Sequence, residues 1–249
     1  MKIRLQKIIA DAGLGSRRQA ERWIAEGKVR VNKRVETRLG TLADPEMDRI
    51  TVRGKPGSSP EKKVYLVLNK PTFCLTTMVK DERGRRTVRD FFKKMPFRVF
   101  PVGRLDYNTQ GVLLFTNDGK LSRKLLAPKY KVSRTYLVKV RGVPNEKTLG
   151  RLRKGVRLDN IPTAPIEVGI QRLSGKNCFL RMKLVEGKNR HIKRVCEKIG
   201  HPVVRLQRTH FGNLGLTGLP LGAYRPLTDR EVRSLQKIVN QAEPFKEGS

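Results

Sequence analysis

The sequence predicts an α+β protein: a small helix-pair-plus-strands domain, then a larger domain on a mostly antiparallel mixed sheet. Three observations carry this. Helical periodicity with glycine stops marks a helix pair near the N-terminus. Beyond Val64, short apolar strands outnumber helices, and several neighbours are close enough for hairpins, which argues against an alternating parallel-sheet fold. Between them, residues 54–63 (GKPGSSPEKK) are rich in Gly, Pro, Ser and charge, so they read as a flexible linker. The predicted division is 1–53, the linker, a main domain over 64–240 and a tail over 241–249.

Leu5, Ile8, Ile9 and Ala12 share one helical face, and Gly13 and Gly15 end that helix. Ser16, with Gln19 three residues on, opens a second helix in a capping-box pattern; Ala20, Trp23 and Ile24 form its buried face, and Gly27 stops it. Val29 and Val31 alternate with polar residues, Asn32 turns the chain, and Ile50 and Val52 alternate again. In the main domain, VYLVLN, RVFPV (98–102) and GVLLFT (111–116) read as strands buried on both faces. RTYLVKVRG (134–142) alternates, with Tyr136, Val138 and Val140 on one side. Further strands are expected near 165–171 and 178–184, and helices over 119–127, 145–153, 189–199 and 229–239.

The charge balance narrows the partner. Lys and Arg number 55 against 22 Asp and Glu, a net charge of +33 spread along the whole length. Such a surface fits a polyanion, because each phosphate contact releases counterions. A membrane surface would require the basic residues on one amphipathic helix or tail. No long apolar run spans a bilayer and the N-terminus lacks a secretory pattern, so a cytoplasmic protein is expected. Cys74, Cys178 and Cys196 form no C-x-x-C pair and read as packed, reduced side chains. His191, His201 and His210 have no metal-ligand spacing, so no metal is expected.

Arg17, Arg18, Arg22 and Lys28 crowd one end of the small domain and read as a phosphate-contacting surface. The stretch SRRQAERWIAEGKVRVN resembles the small RNA-binding fold first described in a ribosomal small-subunit protein, over roughly residues 2–53. Lys33 departs from that pattern, which usually carries Gly after the Asn.

GRLDYNTQGVLLFTNDG (103–119) places Asp106 in a polar loop between two apolar strands, beside Arg104. A neighbouring cation favours an ionised carboxylate, which serves as a nucleophile or a base. From the residues alone, a turn cap or a structural ion pair accounts for Asp106 better than a catalytic role does. The seventeen-residue stretch is similar to the signature of pseudouridine synthases, in the RsuA and RluB branch that modifies bacterial ribosomal RNA. NKP (69–71), TTMVKDERGRRTV (76–88) and EGKNRHIKR (186–194) support the resemblance. Phe73 departs from it, standing where NKP-x-Gly is usual.

The resemblance implies a catalytic Asp106, an active-site Tyr136 that stacks on the target uracil, and Lys193 as the basic partner of the aspartate, with Arg190 and Arg194 as rivals on the same helix. It also implies that Leu206 lines an apolar pocket and that Arg104 fills the gap left by the displaced base, while Arg190 and Arg194 contact RNA. The reaction it implies is an isomerisation that consumes no cofactor. Uridine leaves its stack, and the base moves from its nitrogen-1 to its carbon-5 attachment. Two routes are open to Asp106: attack on the anomeric carbon, or removal of the neighbouring ribose proton. A free phenol, with a pKa of about 10, is a poor base at neutral pH, so a Tyr base requires a perturbing site. The segment from Gly155 to Leu184 and the ending GLPLGAYRPLTDREV favour large-subunit ribosomal RNA, with the small-subunit RNA as the alternative and a monomer as the default. A non-catalytic assembly factor and a DNA-binding regulator are the competing classes; neither accounts for Asp106, Tyr136 and Lys193 in matching motifs.

Overall fold

The computed structural model describes residues 1–57 and 61–241. The chain divides into two compact units. One comprises Met1–Val64 with Lys94–Phe100 and Thr116–Gly119; the other comprises Tyr65–Lys93, Pro101–Phe115 and the chain from Lys120 onward.

The first unit opens with β1 (Ile3–Arg4), α1 (Leu5–Asp11) and α2 (Arg17–Ala25). Leu5, Ile8 and Ile9 of α1 pack with Ala20, Trp23 and Ile24 of α2, the two apolar faces that the periodicity predicts. The Ser16 side chain caps α2 by accepting the Gln19 N–H at 3.0 Å. Strands β2 (Val29–Val31), β3 (Arg34–Glu36), β4 (Leu42–Ala43), β5 (Ile50–Val52) and β6 (Lys55–Pro56) follow. The turn joining β2 and β3 puts both Asn32 (φ 49) and Lys33 (φ 70) in the left-handed region, so Lys33 adopts the conformation a glycine takes at less cost.

The linker expectation is corrected over most of its length. Lys55 and Pro56 pair with Val52 and Thr51 as β6, and the Gly57 N–H donates to Ile50 O at 2.9 Å. The Glu61 N–H donates to Asp11 O at 3.2 Å, and Asn117 bonds Glu61, the Lys62 carbonyl and the Val64 N–H. Backbone pairing overrides a polar composition here. Residues 58–60 of that stretch, and the tail from 242, lie outside the described residues.

The second unit carries an eight-stranded sheet. Its strands are β7 (Tyr65–Lys70), β8 (Phe100–Pro101), β9 (Thr109–Thr116), β10 (Arg134–Arg141), β13 (Glu167–Ser174), β14 (Asn177–Leu184), β15 (Val203–Phe211) and β16 (Tyr224–Pro226). The order is β13-β14-β10-β15-β9-β7-β16, with β8 beside β9. A separate hairpin is made by β11 (Arg157–Leu158) and β12 (Ile161–Pro162). The helices are α3 (Gly119–Leu126), α4 (Glu146–Lys154), α5 (His191–Lys198) and α6 (Asp229–Gln241), each within a few residues of its predicted span. Pairing is antiparallel from β13 through β15, whereas β15 and β9 run parallel.

Two apolar clusters flank this parallel junction. One joins Val138, Val140, Leu180, Ile192, Val195 and Leu206; the other joins Val67, Val112, Leu114, Leu125, Phe211 and Leu235. Strand β15 has no counterpart among the predicted strands. Its buried positions include Arg208, 3% exposed, so the apolar alternation that marks a strand is broken there. Cys74, Cys178 and Cys196 are buried free thiols, and burial pushes Cys196 up to about 12.

Candidate active site

The parallel junction positions the aspartate. Register pairs Leu206 with Thr109, Gln207 with Gln110 and Arg208 with Gly111. Gly111 has φ +114, and a Cβ there would lie 2.1 Å from the Arg208 carbonyl oxygen. Only a residue without a side chain lets the two backbones approach so closely. The loop just before β9 is thereby set beside β15, and its Thr109 N–H donates to Asp106 O at 3.0 Å.

A buried lysine fastens this loop from beneath. Lys70, at the end of β7, is fully buried, and its Nζ donates to the carbonyls of Pro71 (3.0 Å), Asp106 (3.2 Å) and Thr109 (2.9 Å). Desolvation pulls its pKa down to about 8, so it is still an ammonium at neutral pH, with its three protons matched to three oxygens. From the other side, Thr76 Oγ1 donates to Leu105 O at 2.7 Å and accepts the Leu105 N–H at 3.3 Å.

Asp106 opens into a cleft of about 480 Å³ that also exposes Tyr136, Lys193, Leu206, Arg104 and Arg190. Lys193 Nζ stands 3.1 Å from Asp106 Oδ2, both side chains partly exposed. Lys193 is the third residue of α5, which starts after Arg190 in the left-handed region (φ 47). Tyr136 is half-buried on β10 between Met182 and Arg208, packed against the cluster that contains Leu206. Leu206 is therefore a core residue and a wall of the cleft together.

Two arginines not singled out from the sequence complete the walls. Arg134 donates to the carbonyls of Val132 and Val185, and Arg208 Nε donates to Val112 O. Their guanidinium carbons lie 5.5 and 5.3 Å from the Phe211 ring centroid. Among the described residues neither pairs with a carboxylate, and burial holds Arg134 below the usual arginine range. His191 also lines the cleft. It is 6% exposed, its ring nitrogens have no hydrogen-bond partner among the described residues, and Glu186 Oε2 is 3.9 Å away.

The remaining predicted residues lie as follows. Arg104 is exposed at the cleft, and the described ion partner of Asp106 is Lys193. Arg194 is ion-paired with Asp159 and is not among the cleft residues. Arg17, Arg18, Arg22 and Lys28 are exposed in the first unit, with Lys28 held 2.6 Å from Glu26. Lys70 was legible only as part of NKP; a lysine closing an otherwise apolar strand is the signal that would have isolated it.

Comparison with known proteins identifies the family. Residues 64–198 match the family model described as RNA pseudouridylate synthase, and residues 3–50 match the S4 domain. The chain is 43% identical over 239 residues to the ribosomal large subunit pseudouridine synthase B of Bacillus subtilis, covering 95% of this chain and 97% of that protein. It is 42% identical over 239 residues to an uncharacterized RNA pseudouridine synthase of Aquifex aeolicus, covering 96% of each. A crystal structure of a pseudouridylate synthase superposes with a TM-score of 0.67 at 30% identity, covering 94% of this chain and 99% of that one. With a pseudouridylate synthase match over more than half of its length, an S4 match before it and a relative 43% identical along nearly the whole chain, this chain belongs to the RNA pseudouridylate synthase family.

Proposed function

We propose that this chain isomerises one uridine of large-subunit ribosomal RNA, working as a monomer in the cytoplasm, with Asp106, Tyr136 and Lys193 as its catalytic residues. The observation that carries the residue assignment is the 3.1 Å pair of Asp106 and Lys193 inside the cleft that Tyr136 also lines. The large-subunit substrate is supported by the name of the Bacillus subtilis relative. Lys193, 3.1 Å away, holds the carboxylate in place. Asp106 then attacks the ribose anomeric carbon or removes the 2′ proton as the bond to nitrogen-1 breaks. Tyr136 provides a face for the freed uracil while it turns. Carbon-5 then bonds the anomeric carbon, displacing the Asp106 carboxylate from it on the first route or with Asp106 returning the 2′ proton to the ribose on the second; carbon-5 loses its proton, and nitrogen-1 gains one. Arg104 and Arg190 at the cleft contact the surrounding RNA.

The test is release of tritium from carbon-5-labelled uridine in separate large- and small-subunit transcripts and in assembly intermediates. Release from large-subunit RNA alone is expected; release from small-subunit RNA alone overturns the substrate assignment. Lys193→Met is expected to lower turnover by about 10- to 150-fold, the worth of one charge-assisted hydrogen bond, with Lys193→Arg recovering part of it. Unchanged single-turnover rates for Lys193→Met would remove Lys193 from the mechanism.

The N-terminal arginines act on binding. Replacing Arg17, Arg18 and Arg22 together by Ala is expected to weaken RNA affinity and flatten its salt dependence by roughly one unit of slope per lost phosphate contact, with turnover at saturation kept. An affinity and slope equal to wild type, measured by filter binding across a salt series, would take these residues out of the RNA surface.

A further inference from the structure

Phe73 has φ 55, in the left-handed region, where a bulky residue is an outlier. Its side chain is nonetheless 64% exposed. The fold thus gains neither relaxed backbone nor buried area from this phenylalanine, and strain of this kind points to function. A glycine, the residue usual after NKP-x in the family pattern, would adopt the same conformation freely.

The position is fixed relative to the aspartate. The Phe73 ring stands edge-on to Tyr107, with centroids 5.7 Å apart and planes at 74°. Tyr107 directly follows Asp106, and its carbonyl accepts the Cys74 N–H at 3.4 Å. Thr76 holds Leu105 through both of its backbone groups. Exposed Lys80 and Arg83 lie on the loop that follows, where Arg85 pairs with Asp81 at 2.9 Å and the Arg86 guanidinium lies 4.4 Å from the Phe91 ring centroid. An exposed aromatic face with exposed cations on the following loop fits a base with its phosphates better than an apolar peptide.

We infer that Phe73 is a stacking platform for an unpaired RNA base flanking the uridine that enters the cleft, with the exposed Lys80 and Arg83 of the same loop placed for the adjoining phosphates. This rests on the ribosomal-RNA reading above and adds to it a contact outside the catalytic residues.

The test compares the full-length wild type with Phe73→Gly, Phe73→Leu and Phe73→Trp. On a responsive ribosomal transcript, Phe73→Gly is expected to raise KM by about 5- to 150-fold, the effect of removing one stacked base, with kcat retained. Phe73→Trp should keep the wild-type KM and Phe73→Leu should fall between. A single-stranded oligouridylate carrying one 2-aminopurine should be quenched by wild type and Phe73→Trp but not by Phe73→Gly. Phe73→Gly should melt no lower than wild type, because glycine relieves the left-handed strain; lower melting together with higher KM would make the ring structural and overturn the platform. Equal KM and equal quenching for wild type and Phe73→Gly would overturn it as well. If wild type releases no tritium from any ribosomal RNA, the substrate reading fails, while the quenching comparison still decides the platform.

Discussion

Asp106→Asn is expected to abolish turnover, by about 10⁴-fold or more, while RNA affinity stays close to that of the wild type. The amide is nearly the same size as the carboxylate and can still accept a hydrogen bond from Lys193, which lies 3.1 Å away. The loop holding it depends on Lys70, Thr109 and Thr76, all of which bond backbone groups rather than the Asp106 side chain. The substitution therefore removes the negative charge and leaves the scaffold. Without that charge the residue neither attacks the anomeric carbon nor takes a ribose proton, so both routes fail together. Tritium release and filter binding on one RNA preparation check this. Turnover by the Asn variant at the wild-type rate would sink the assignment, and equal loss of binding and turnover would mean that the carboxylate is structural.

Gly111→Ala is expected to be the most damaging small substitution outside the chemistry. Its Cβ would meet the Arg208 carbonyl oxygen at 2.1 Å, far inside contact distance, at a φ of +114 that L side chains rarely adopt. The obstacle is backbone in a paired strand, so no rotamer change relieves it. The β9–β15 junction must open, at a cost of about 3–5 kcal/mol and a fall in melting temperature of roughly 6–20 °C. Folded molecules should also lose activity, because the same junction pairs Leu206 with Thr109, whose N–H holds the Asp106 carbonyl. Gly150→Ala is the control: it sits within α4 with nothing within 4 Å, and should be neutral or slightly stabilising. Thermal melts of the two variants decide the matter; similar behaviour would mean that the junction adapts.

These expectations rest on residues of unequal legibility. The helix pair was readable because Leu5, Ile8, Ile9, Ala20, Trp23 and Ile24 repeat at helical spacing, and all six are buried. Strands β7 and β9 were readable as apolar runs, and β9 is buried along its whole length. Strand β15 was not, because Arg208 and Gln207 interrupt it; its place is set by partners on β10 and β9 that no local pattern reveals. The linker reading failed for a related reason. Lys55 and Pro56 look like loop residues, yet β5 offers them a free edge.

The sequence by itself determined the α+β class, the order of the two domains and the polyanion partner, and through GRLD it pointed to the aspartate. These are carried by periodicity, summed charge and a local motif, which need no knowledge of what lies opposite. Tertiary structure alone decided why Gly111 has no side chain, that Lys70 clamps the loop, and that Phe73 stands beside Tyr107. Each is a contact between segments far apart in the chain. Its energy depends on distance and burial, and neither is written in the order of residues.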